Sequence, residues 1–122
     1  NIFDAGNIPK CLMGFTRTPG APAVFAADFN FRPGGADYDA FSALPDVSNA
    51  AKRCVDSKTC AGDADPGAIW RDSVDHHFYL AGSEPRISIE PVRIEQTFKE
   101  QVDGQPLSDY VGLEIHYKIG WE

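Results

Sequence analysis

No stretch of this chain stays apolar for long: the longest run without a polar side chain is 21–27, and Pro22 interrupts it. A helix that crosses a bilayer needs about 20 mainly apolar residues, so the sequence offers no membrane-spanning segment. No charged region followed by an apolar one opens the chain, so no intact signal peptide is expected. Asn1 in place of Met fits either a processed or a cut terminus. Basic side chains are also scarce. There are 11 Lys and Arg against 18 Asp and Glu, a formal net charge of −7, and only Lys52 and Arg53 are adjacent. Nucleic-acid binding rests on clustered cations that neutralise phosphates, so the expectation is no nucleic-acid partner and no anionic membrane surface.

Cysteine is limited to Cys11, Cys54 and Cys60, too few for a disulfide scaffold and at no zinc spacing. Cys54 and Cys60 flank a short polar stretch, and the expectation is a bridge between them, with Cys11 left over. Such a bridge points to an extracytoplasmic location. The chain has no Asn-x-Ser/Thr sequon, no Gly-x-Ser-x-Gly elbow, no phosphate-cradling Gly-rich loop ending in Lys, and no His-Glu-x-x-His. No catalytic residue is therefore assigned, and nothing marks the Cys11 thiol as activated.

What is present is a globular composition, 122 residues with 43% hydrophobic side chains, which fits a single domain over 1–122. The clearest pattern lies in 86–121. Val92, Ile94, Phe98 and Val102 share one parity; Val111, Leu113, Ile115, Tyr117, Ile119 and Trp121 share another. Period-two alternation is the mark of strands with one buried face. The reading is an antiparallel hairpin or meander that supplies the main apolar face. Ile87 and Ile89 are out of phase with Val92 and Ile94, which implies a bulge or break across Glu90-Pro91. Asp103-Gly104 is a two-residue hairpin turn.

Earlier in the chain, Phe25, Ala27, Phe29 and Phe31 predict a strand within 22–31, stopped by Arg32-Pro33-Gly34-Gly35. Val47, Ala50, Ala51, Cys54 and Val55 predict a helix over 46–57, capped by Asp46 or Ser48. Asp65-Pro66 reads as a cap followed by Pro at the first helical position, opening a second helix over 66–77, with a strand over 75–80 as the alternative.

Three groups of side chains are candidates for chemistry. Asp72, His76 and His77, with His116 further on, are donor types that a first-row metal takes, but on a strand His76 and His77 would point apart. Asp63 and Asp65 open like a calcium loop, yet Gly67 is one place early and Val74 stands where a Glu ligand belongs, so an EF-hand is excluded. Asp also favours turns and helix starts, which accounts for these positions equally. Tyr38, Trp70, Tyr110 and Trp121 are aromatics that could stack on a sugar or fill a partner's pocket.

Together these features predict an α+β fold: an antiparallel sheet dominated by a C-terminal meander, with one or two short helices in the middle of the chain packed on one face. The function expected is that of a non-enzymatic extracytoplasmic structural or assembly subunit, such as a surface-appendage, pilin-like or virion component. It would act through contacts with other protein subunits, including copies of itself. One alternative is a carbohydrate- or calcium-binding module. Another is a small metal-dependent enzyme centred on His76, His77 and His116. No cofactor is predicted, with Ca²⁺ or Zn²⁺ as the alternatives.

Overall fold

The computed structural model describes residues 20–99, 101–106 and 111–121. In chain order, these form β1 (Ala23–Asp28), α1 (Ala36–Ser42), β2 (Ser48–Asn49), α2 (Ala50–Ser57), β3 (Ala61–Gly62), α3 (Pro66–Asp72) and β4 (Asp75–Leu80). Then follow β5 (Gly82–Ser83), β6 (Arg86–Thr97), β7 (Gln101–Val102), β8 (Gln105–Pro106) and β9 (Gly112–Trp121). The expected α+β class is the observed one, including the C-terminal meander, though with three short helices.

One sheet has the order β1-β4-β2, antiparallel throughout. The other is built on β6, which pairs antiparallel with β9 and β5 and parallel with β3. Alternate residues of β4 serve both sides of its sheet. His76 and Phe78 meet an aromatic cluster of Phe29, Phe31, Tyr38 and Phe41, in which the Phe41 and Phe78 rings lie 4.3 Å apart. Burying each such ring contributes about 1.5–3 kcal/mol. His77 and Tyr79 face the other way, toward Tyr117 of β9. With both faces covered, β4 buries His76, Phe78 and Tyr79 and half-buries His77, in place of a polar–apolar alternation.

The helices start and stop for local reasons. Asp65 accepts a hydrogen bond from the Ala68 N–H at 3.0 Å, and Pro66 takes the first turn, as its sequence predicts. That helix ends at Asp72 and not near His77, because Ser73 turns extended and the chain enters β4. The helix expected over 46–57 begins at Ala50. Asp46 has a left-handed φ of 67°, Ser48 and Asn49 pair with β4, and Asn49 caps the Lys52 N–H at 3.1 Å. The first helix, α1, is too short for its Tyr38/Phe41 spacing to stand out in the sequence; those two residues are buried in the aromatic cluster.

The predicted phase flip is a bulge. The β6–β9 register shifts between Pro91 and Arg93, so Val92 is the extra, exposed residue. Of the row Val92, Ile94, Phe98 and Val102, only Ile94 reaches the core. In β9, Leu113, Ile115 and Tyr117 are half-buried, but Ile119 and Trp121 are 52% and 74% exposed. The expectation that the meander supplies the main apolar face is thus corrected: Phe41 and Phe78, the largest fully buried side chains, lie on α1 and β4. The Asp103-Gly104 turn joins β7 to β8 with positive φ at both residues, as the sequence predicts.

Cys54 and Cys60 form the expected disulfide, with Cα atoms 5.4 Å apart, tying the end of α2 to the approach to β3. A ring this short contributes about 2 to 3 kcal/mol by loop entropy. Cys11 lies outside the described residues. Among the described residues no helix is long and apolar enough to cross a membrane.

Candidate active site

Antiparallel register places Asp28, the last residue of β1, directly opposite Asp75, the first of β4. Residues opposite one another in such a pair project from the same face, so two carboxylates emerge together at the sheet's end. Like charges in that position repel, and partial burial compounds the cost. Burial first, and the Asp28 charge second, push the Asp75 carboxyl above the usual carboxylate range. The Asp75 backbone is fixed by Ser73, whose Oγ accepts from its N–H at 3.0 Å and donates to its carbonyl at 2.8 Å.

Beyond β1 the chain turns at Asn30, which has a left-handed φ of 56° and donates its backbone N–H to Asp28 Oδ1 at 2.9 Å. Asn is among the few residues that adopt this conformation readily. The turn leaves the Asn30 side chain exposed two residues from Asp28. Arg32 then donates from Nε to the Asp72 carbonyl at 3.1 Å, joining this segment to the end of α3.

Beneath the turn sits His76, which is 2% exposed. Its Nε2 lies 2.8 Å from the Phe31 carbonyl oxygen, which can only accept, so Nε2 carries the proton. Nδ1 is then the acceptor for the Asn49 amide at 3.2 Å. Burial holds the His76 imidazole below the ordinary histidine range, consistent with this neutral form. His77 projects from the opposite face, donating from Nε2 to the Leu113 carbonyl at 3.3 Å. Burial lowers its pKa too, and its Nδ1, like the Tyr117 hydroxyl, is buried with no hydrogen-bond partner among the described residues.

Asp75 also borders a hollow of about 100 Å³ with Asp72, Ser73, Gln96 and Val111. An adjoining hollow of about 310 Å³ shares Ile69, Asp72 and Gln96 and adds Asp63 and Asp65. The ends of β4, β6 and α3 and the approach to β9 therefore surround one concave region.

Of the residues expected to bind a metal, Asp63, Asp65 and Asp72 do line one hollow. Asp63 is engaged with the Gln96 N–H at 2.8 Å, and Asp65 caps α3. His76 and His77 are not brought together, since adjacent residues of a strand face opposite ways. His116 lies away from both, on the exposed face of β9, 3.3 Å from Glu114. There Glu95, Glu114 and His116 bring donor atoms within 4.8 Å of one another, a second arrangement that could hold a metal, although Arg93 already pairs with Glu95. Tyr38 is buried, its hydroxyl accepting from Trp70 Nε1 at 2.8 Å, so neither ring is an open stacking surface. Trp121 is exposed, and Tyr110 lies outside the described residues. Sequence reasoning passed over Asp28 and Asn30. The available signal was an Asp-x-Asn at the point where an aromatic strand stops.

No family model matches the chain, and no curated protein matches it in sequence. Its fold does match solved structures. A humanized D. rerio TDP2 carrying 14 mutations superposes with a TM-score of 0.65 at 21% identity, over 94% of this chain and 48% of that one. D. rerio TDP2 in complex with a single-strand DNA product gives 0.66 at 20% identity, over 94% and 49%. A mannosyl-6-phosphatase from Bacteroides thetaiotaomicron gives 0.61 at 18% identity, over 93% and 44%. The chain spans about half the length of these proteins.

These likenesses correct two expectations. The neighbours include a phosphatase and a protein holding a reaction product, so the reading of a non-enzymatic structural or assembly subunit is overturned. The exclusion of nucleic acid also falls, because a protein of this fold holds single-strand DNA. Net charge is a sum over the whole surface, whereas binding depends on the groups at one site.

Proposed function

We propose that this chain contributes to the active site of a divalent-cation-dependent phosphate-ester hydrolase, with Asp28, Asn30 and Asp75 at its centre. The observation that carries the reading is the Asp28–Asp75 pair at the strand ends, with the Asp75 carboxyl pushed up by burial and by its neighbour. A fold shared with a phosphatase supports it.

Two carboxylates repel a phosphate unless a cation stands between them. The donor set fits one: Asp28 and Asp75 carboxylates with the Asn30 amide oxygen are hard oxygen ligands, suited to Mg²⁺ or Mn²⁺ more than Zn²⁺. Such an ion, when bound, supplies Lewis acidity toward a phosphoryl oxygen. Asp28 and Asn30 then orient the ester. Asp75, whose charge is disfavoured beside Asp28, would be relieved by the same cation, and the proton of the attacking water would leave to solvent as the P–O bond to the leaving group breaks. The Cys54–Cys60 bridge supports an extracytoplasmic setting for this chemistry.

The test is hydrolysis of a simple phosphodiester and a phosphomonoester by the full-length protein with Mg²⁺ and with EDTA. Asp28→Asn and Asp75→Asn should each lower kcat by about 100-fold or more, because each removes a charge that holds the cation and its Lewis acidity. Activity that survives EDTA, or both substitutions, would overturn the proposal.

A further inference from the structure

We infer that a hollow of about 230 Å³ between α1 and α2 is a binding site for a small phosphate dianion, free or carried by an ester. It is separate from the candidate active site. Phe78 lines it and packs against Phe41 of α1, whereas Asp75, three positions earlier in β4, projects from the other face of that strand. The inference therefore stands apart from the hydrolase reading.

The charge of the hollow begins in the sequence. Lys52 and Arg53 are the one adjacent basic pair in a chain of net charge −7, and both line it. Asn49 caps α2, so these two are its third and fourth residues, beside the segment from Val47 to Asn49 that closes the hollow. Asp56, one turn further on, is the only acid in the lining among the described residues, so cations outnumber anions there.

The donors have capacity to spare. Arg53 uses only Nε on Glu90, at 2.7 Å, and Glu90 is not part of the lining. Its Nη1 and Nη2 have no partner among the described residues, and neither has the Ser42 hydroxyl that faces them across the hollow from α1. Lys52 donates to Asp56 Oδ1 at 2.7 Å, with the Trp70 ring centre 5.0 Å from Nζ, and holds two further N–H groups. Both ion pairs are open to solvent, their side chains between 42% and 52% exposed. Pairs of that kind contribute little, so a doubly charged anion displaces the carboxylates at small cost.

Phosphate is the group that fits. A guanidinium fork matches two phosphoryl oxygens, an ammonium adds a point charge, and a hydroxyl adds a third donor. The hollow is smaller than the roughly 300–1,000 Å³ of sites for drug-sized ligands, so the ion itself or a small ester is what it holds. Val47 adds an apolar wall against which the organic part of an ester can rest.

The test is a thermal-melting titration of the full-length protein in EDTA, with orthophosphate or phenyl phosphate against NaCl of equal ionic strength. Without a divalent cation Asp28 and Asp75 repel phosphate, so a shift reports this hollow. Phosphate should raise Tm saturably and beyond the effect of the salt. Lys52→Gln and Arg53→Gln should each weaken the apparent affinity about tenfold. Asp56→Asn and Glu90→Gln, which release the two cations, should each strengthen it about threefold. A response to orthophosphate assigns the free ion; a response to phenyl phosphate alone assigns an ester. No shift beyond that of NaCl, or a shift that survives loss of both cations, would overturn the inference. A shift in a protein that hydrolyses no phosphate ester sinks the hydrolase reading and leaves this site.

Discussion

Asp75→Asn should make the protein more stable in the absence of a divalent cation and less stable in its presence. The carboxylate stands directly across from Asp28 and is half-buried. Like charges directly opposite in a sheet cost about 0.2–1 kcal/mol, and the amide relieves that while keeping the shape. For a chain of 122 residues this is roughly 1–5 °C in Tm. A cation held by the folded site acts oppositely. It stabilises the native state by about 2.7 kcal/mol at 100 times its Kd, and the variant loses most of this. The two melting curves should therefore exchange order along a Mg²⁺ titration of the full-length protein, read by scanning fluorimetry. The pH dependence has a definite sign. The folded pKa of Asp75 is raised, so the native form takes up a proton more readily than the unfolded chain. The repulsion, and the variant's advantage in EDTA, are present above the folded pKa and vanish as pH falls toward the ordinary aspartate value of 3.8. A variant less stable than the wild type in EDTA, or an equal Mg²⁺ shift in both, would refute the reasoning.

His76→Leu keeps the volume but strands the Phe31 carbonyl and the Asn49 amide in the interior; at about 1–3 kcal/mol for each buried group left unsatisfied, urea unfolding should show a loss of roughly 2–5 kcal/mol. A loss under about 1 kcal/mol would mean the bonds contribute little net stability. His76 and His77 both have folded pKa values depressed by burial, so the stability that neutral imidazoles contribute is complete above the ordinary value of 6.5 and is lost as pH falls below it. Replacing both histidines should flatten the stability profile between about pH 6.5 and 5, and an unchanged slope would refute the assignment.

The sequence by itself determined what depends on neighbours along the chain. Asp65-Pro66 capped a helix because the cap needs only the next three residues. Cys54 and Cys60 bridged because six positions of chain hold them close. The shift of phase at Glu90-Pro91 told of a bulge because side-chain alternation is a local count. The tertiary structure decided everything that joins distant segments. Whether an apolar row meets the core depends on what lies across from it, so Ile94 is buried while Phe98, of the same parity, faces solvent beside Gly112. His76 and His77, adjacent in sequence, went to opposite layers because the strand they lie on is covered on both sides. Asp28 and Asp75 look in the sequence like turn aspartates. They become a pair only when β1 and β4 align in register, and register is set by the packing of Phe25, Phe29 and Phe78, which no local spacing encodes.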